Sequence, residues 1–258
     1  MSRSFRRFFV DSDFSNDRPT LKLSHRETFH LHHVLRLKPG DTCRVFNSKG
    51  REAQAVIETI SEKEGARLKL EKISPSKEGR LHLKIGQALP QRGKMDTLVQ
   101  KAGELGVREL WVLETERTVV KMKAEAGARA QKRWERIVIE AAKQSGNSVL
   151  TRVEGPLPFK KVLEENLEPS DRGFIFHPDP AGVPFSSVVE ELRENVGAGL
   201  KPAPTVFLFF GPEGGFSGKE VHEAESRGVR KVWLGDSILR LETAFLGVTA
   251  ALRFMVNS

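Results

Sequence analysis

At 258 residues, with 38% hydrophobic residues, the chain can bury one large core or two modest ones. No apolar run approaches the length of a membrane span, and the basic start MSRSFRRFFVDSD lacks the apolar core and small-residue cleavage site of a signal peptide. A single cysteine, Cys43, excludes an internal disulfide and a cysteine-based metal cluster, and fits a reducing cytoplasm. The net charge of +8 is uneven: residues 1–80 carry 17 Lys and Arg against 11 Asp and Glu, and the remainder 25 against 23. A basic N-terminal part is the composition that a polyanion rewards, through counterion release from phosphates, although solubility alone would also account for it.

The first 75 residues read as β. RRFFV, DTCRVFNSKG, REAQAVIETI and ARLKLEKI are short runs of β-branched or aromatic content, separated by turn signals at Pro39-Gly40-Asp41 and Ser48-Lys49-Gly50. One short helix is predicted over Ser24 to Leu35, and the whole suggests a small barrel. SPSKEGR, 74–80, is a polar linker, which puts a domain boundary between 1–73 and 74–258.

From Leu81 strand and helix alternate. LHLKIGQAL, RELWVL, GFIFH, TVFLFF and KVWLG read as strands. KMDTLVQKAGELG, AEAGARAQKRWERIVIEAAKQSG, FSSVVEELRENV, SGKEVHEAESRG and ETAFLGVTAALRFM read as helices, the second with Trp134, Ile137, Val138, Ala141 and Ser145 on one face. This rhythm predicts an α/β domain with a largely parallel sheet. NVGAGLKPAPT, 195–205, is predicted to be a surface loop.

Ligands of open α/β sheets gather beyond the carboxyl ends of the strands, and three such ends here are unusual. They are Phe176-His177-Pro178, the loop Gly211 to Gly215 (GPEGG), and LGDSILRLETA, 234–244. Glycines allow positive φ and close approach of a ligand to the backbone. Neither GxxxxGK[ST] nor GxGxxG is present, so a triphosphate or dinucleotide is disfavoured. Alone, GPEGG is a tight turn as readily as a site, but a second polar glycine loop at a later strand end gives it a partner.

The pair GPEGGFSGKE and LGDSILRLETA resembles the signature of SPOUT-class RNA methyltransferases, and more narrowly the 16S ribosomal RNA (uracil-N3)-methyltransferase family, RsmE. RRFFV, FHLHHVLRLKPGD, KMDTLVQKAGELGV and IEAAKQSG follow in that family's order, and Asn147 departs from its more usual arginine. The resemblance implies a PUA-like β-barrel that grips RNA, and an α/β SPOUT methyltransferase domain with a C-terminal trefoil knot. It also implies S-adenosyl-L-methionine as methyl donor, 16S rRNA or the small ribosomal subunit as partner, and a homodimer.

Carried over residue by residue, the resemblance places Gly211, Glu213, Gly214 and Gly215 on one wall of the donor pocket. Leu234, Gly235, Ile238 and Leu239 form the other, with His177 and Thr243 at its edge. Arg240 is expected to stabilise the developing uracil anion, and Glu242 to act as base or to orient Arg240. Arg6, Arg7, His30, Arg36, Lys94 and Lys101 are the expected RNA contacts, although Lys101 also has Glu104 within pairing distance along a helix. His32 and His33 diverge on a helix and no third ligand follows, so no metal is expected. The competing readings are a SPOUT enzyme acting at another RNA position, and a non-catalytic RNA-binding assembly protein.

Overall fold

The computed structural model describes residues 6–15, 17–75, 81–91, 93–147, 149–168, 170–197 and 204–256. The chain forms two compact units, Met1–Glu78 with Ile139–Leu150, and Gly79–Val138 with Thr151–Ser258.

The first unit is built on a five-stranded sheet of β1 (Arg7–Phe9), β2 (Thr20–Lys22), β3 (Thr42–Phe46), β4 (Arg51–Thr59) and β5 (Arg67–Pro75). The strand order is β1-β3-β4-β5-β2, with β1 parallel to β3 and the other pairs antiparallel. The short runs close on a core of Phe8, Val45, Ile57, Leu68 and Leu31. The predicted helix is present as α1 (His25–Phe29), continued by a π-helical turn over His30–Val34. Ser24 caps it by accepting from the Glu27 N–H, as its place before the run predicts. The linker expected at 74–80 begins inside β5, and 76–80 lie outside the described residues.

A buried ion pair ties the segment 139–150 to this unit. Lys143 Nζ donates to Glu27 Oε1 at 3.0 Å, both side chains being almost fully buried, and lies 3.4 Å from His30 Nδ1. Burial pushes Cys43, elsewhere in the same core, up to about 12, so its thiol stays protonated and unreactive.

The second unit carries a seven-stranded, wholly parallel sheet of β6 (His82–Ala88), β7 (Glu109–Glu114), β8 (Arg152–Pro158), β9 (Arg172–Phe176), β10 (Val183–Pro184), β11 (Thr205–Phe210) and β12 (Arg230–Trp233). The order is β10-β12-β9-β11-β6-β7-β8. Central strands of such a sheet are covered on both faces, which is why Val206 to Phe210 are apolar without alternation and all buried. The helices are α2 (Lys94–Glu104), α3 (Ala124–Ser145), α4 (Phe159–Glu165), α5 (Phe185–Gly197), α6 (Gly218–Ser226) and α7 (Leu241–Met255). Of the loop predicted at 195–205, residues 195–197 end α5 and 198–203 lie outside the described residues.

Three strands escape the sequence reading: β2, β8 and β10. All three are sheet edges, where a strand pairs on one side only and tolerates the prolines found in Gly155-Pro156-Leu157-Pro158 and Val183-Pro184.

Candidate active site at three parallel strand ends

Neighbouring strands β12, β9 and β11 end in the three segments that the sequence singles out. Because β9 lies between the other two, His177 stands between the glycine loops, and the three ends enclose one cavity of about 600 Å³. Its lining joins Phe176 to Pro178, Phe210 to Gly215, Trp233 to Leu241, Pro180, Ala244 and Lys94. Phe176 and Phe210 stack with ring centroids 4.7 Å apart, and Phe210 leans on Phe245 of α7, so the apolar lining is held rigidly.

The glycines act in different ways. Gly215 and Gly235 have φ of +69° and +103°, the left-handed region that favours glycine. Gly211 is demanded by proximity: a Cβ there would lie 3.0 Å from backbone atoms of Gly215 and Phe216. Gly211→Ala therefore forces the loop open. It should destabilise the fold by about 1–3 kcal/mol and weaken ligand binding in the cavity at least tenfold, as calorimetry would read. Wild-type affinity in this variant would show that the loop can shift freely.

Glu213 braces rather than faces the cavity alone. Its carboxylate accepts from the Gln91 N–H at 3.1 Å and lies 3.8 Å from Lys94 Nζ. Lys94, the first residue of α2, donates to Glu242 Oε2 at 3.0 Å. Hydrogen bonds from its own backbone N–H and from Lys94 hold the Glu242 carboxyl below the usual range. A depressed folded-state value means that the brace is present above the unfolded value and is lost as pH falls through the folded one. The stability gap between the parent and Glu242→Gln should accordingly close below the ordinary glutamate range, about pH 4.3, in thermal melts from pH 7 to 3. A gap that persisted at the lowest pH would remove the ion pair as its cause.

His177 donates its backbone N–H to Val232 O at 3.0 Å, while its Nδ1 is buried with no hydrogen-bond partner. Burial lowers the imidazole below its ordinary value, opposed by the Asp179 carboxylate and assisted by Lys231 and Arg117. A neutral ring with an orphaned nitrogen at a cavity wall is a group waiting for a polar ligand atom. Arg240 is the N-cap of α7 and exposed, and its guanidinium has no hydrogen-bond or ion-pair partner among the described residues.

Leu234, Gly235, Ile238, Leu239 and Gly214 also line the cavity. Ile238 is 90% exposed, an apolar side chain on a cavity loop that none of the described residues covers. Thr243 does not belong here: it is exposed on α7 and outside the lining, because the first turn carries it away from the loop.

The expected RNA contacts divide. Arg6 and Arg36 are exposed, Arg36 with φ of +53°. Arg7 is corrected: only 3% exposed, it sits over the Phe46 ring and meets Glu52 and the Asn147 carbonyl, so it serves the interior. His30 is half-buried against Phe8 and Lys143, and Lys101 donates to Glu104 at 2.7 Å, so neither is presented as a free surface cation. Lys94 sits on the cavity, bound to Glu242.

Sequence reasoning missed Arg117, in the loop after β7. Its Nη1 donates to Gly214 O at 2.8 Å, and the neighbouring Glu116 N–H donates to Glu220 Oε1 at 2.8 Å. Nothing local to Thr115–Thr118 announces a partner 97 residues away. Among the described residues no group of His, Cys, Asp and Glu could hold a metal ion.

Residues 77–253 match the model of the RNA methyltransferase domain, and residues 23–71 that of the RNA methyltransferase PUA domain. The ribosomal RNA small subunit methyltransferase E of Synechocystis is 30% identical over 93% of this chain and 74% of its own length. The chain belongs to the ribosomal RNA small subunit methyltransferase E family. The Bacillus subtilis member is 26% identical over 97% of both chains. The crystal structure of the Neisseria gonorrhoeae member, bound to S-adenosyl methionine, superposes with a TM-score of 0.79 at 26% identity, covering 96% of this chain and 97% of that one. Residues 23–71, which lie in the five-stranded first unit, thus form a PUA-like domain, and residues 77–253, which carry the parallel sheet, an α/β RNA methyltransferase domain.

Proposed function

We propose that this chain transfers the methyl group of S-adenosylmethionine to N3 of a uridine in 16S ribosomal RNA of the small subunit. The observation that carries the reading is the cavity between two glycine loops, with Arg240, an arginine that has no hydrogen-bond or ion-pair partner among the described residues, on its lining. Stacked phenylalanines, the positive-φ turns at Gly215 and Gly235, and the orphaned Nδ1 of His177 suit a ligand with an aromatic ring and a polar tail. When bound, the donor supplies an electrophilic methyl carbon on a sulfonium.

The residues of the chain have the remaining tasks. Uracil N3 carries a proton and is a poor nucleophile until that proton passes to solvent, so the site must favour the anionic ring. Arg240, exposed on the cavity lining and without a hydrogen-bond or ion-pair partner among the described residues, can approach a ring oxygen and stabilise that charge. Glu242 is assigned an orienting role: its carboxylate is engaged by its own backbone N–H and by Lys94, a contact that joins α7 to α2 at the cavity. Glu213 keeps the 211–215 loop closed on Gln91, and Arg117 does so from the other side through Gly214. Arg6 and Arg36 remain the proposed RNA contacts of the PUA-like unit.

The same reading includes a homodimer, the trefoil knot of the SPOUT class, a domain boundary between residues 73 and 74, and action in the cytoplasm where ribosomal subunits are made. Small-subunit RNA from a deletion strain, mapped for methylated nucleotides, tests the reaction. Loss of one N3-methyluridine, restored by the cloned gene, is expected. An unchanged pattern would overturn it.

A further inference from the structure

Between Thr115 and Arg136 the sequence holds seven Lys and Arg residues against three Glu. This stretch comprises the loop after β7 and the first half of α3. Gly127, Ala130 and Trp134 form the buried side of that half-helix, and Arg129, Lys132 and Arg136 stand opposite, all exposed. Arg133 is paired, with Asp96 at 2.9 Å. Lys121, Lys123, Arg129, Lys132 and Arg136 have no ion-pair partner among the described residues, whereas Arg172, Arg227 and Arg230 of the same unit each meet a glutamate. Like charges three and four apart on a helix oppose its formation. A face selected only for solubility mixes its signs.

The second observation is where this strip ends. Arg117 and Glu116 are bonded to Gly214 and Glu220, so the loop that starts the strip is fastened to the wall of the cavity. Val119, 72% exposed, lies between Arg117 and Lys121 and offers an apolar surface beside the charges.

We propose that the surface from Arg117 to Arg136 is a phosphate-tracking strip that holds the RNA strand flanking the target nucleotide and delivers it to the cavity. The inference deepens the RNA-methylation reading and rests on it. Its ligand chemistry is the phosphodiester backbone, read by charge and not by base sequence. From Arg129 to Arg136 the face extends about 10 Å along α3, which suits an extended backbone and not a single anion.

The test compares the parent with R129Q/K132Q/R136Q and with the charge-preserving R129K/R136K. Filter binding of an unmodified 16S rRNA transcript is measured from about 50 to 200 mM salt, alongside KM and kcat for methyl transfer. The neutral triple variant is expected to bind RNA about tenfold or more weakly. Its slope of log affinity against log salt should be shallower by about 0.7–0.9 for each phosphate no longer neutralised. KM for RNA should rise with it, while kcat at saturating RNA and the affinity for S-adenosylmethionine stay near parental values. R129K/R136K should behave as the parent. Parental affinity and slope in the triple variant would overturn the proposal, as would an equal loss in R129K/R136K, which would mark a structural role. If the parent fails to methylate the transcript, the activity reading falls, while the salt slope still decides the strip.

Discussion

Arg240→Ala is expected to lower turnover by about 10²–10³-fold, the usual effect of removing one preorganised donor to a developing anion. Affinity for S-adenosylmethionine should stay within about twofold. The expectation follows from what Arg240 lacks. Its side chain has no hydrogen-bond or ion-pair partner among the described residues to lose, acting on Glu242 only through its charge, it caps α7 without a side-chain hydrogen bond, and it is exposed, so truncation leaves neither a void nor an orphaned group. Arg240→Lys should recover little, because an ammonium cannot present the planar fork of a guanidinium. Single-turnover rates at saturating donor and RNA, with calorimetry of the donor alone, separate the outcomes. A loss confined to donor affinity would place Arg240 on the donor and require another source of charge for the uracil.

Lys143→Met should destabilise the protein by about 3–5 kcal/mol, the cost of leaving one member of a buried ion pair without the other. Glu27 is 6% exposed, and with Lys143 removed its Oε1 loses its partner while Oε2 already has none. The double variant Glu27→Leu/Lys143→Met should regain most of the loss, since an apolar pair of similar size carries no desolvation penalty. Chemical denaturation of the single and double variants gives the coupling directly. Equal stability of the single variant and the parent would mean that Glu27 is solvated in solution and that the pair does not hold segment 139–150 in the first unit.

These two cases divide what is local from what is not. GPEGG and LGDSILRLETA can be picked out from the chain because glycine at a strand end states a backbone need that few neighbours can alter. Positive φ at Gly215 and Gly235 bears this out. The central strands are legible for a similar reason: a run such as VFLFF, 206–210, is wholly apolar only when both faces are covered. Edge strands β2, β8 and β10 carry half that constraint and pass for loops.

Charged residues behave otherwise, because their meaning depends on partners that sequence distance hides. Lys94 meets Glu242 across 148 positions, Lys143 meets Glu27 across 116, and Arg117 meets Gly214 across 97. Arg7 looks like a surface cation beside Phe8 and Phe9, yet the fold places Phe46 under it and Glu52 beside it. The basic turns of α3 look like an ordinary solvated face until the lack of ion-pair partners for Arg129, Lys132 and Arg136 among the described residues, and the tie from Arg117 to the cavity wall, are seen. Period, turn chemistry and glycine placement were enough to set out the strand–helix rhythm and the two loops of the site. The order β12-β9-β11, which inserts His177 between those loops, and the choice of which cations are neutralised came from packing, because burial and charge pairing are properties of neighbours in space.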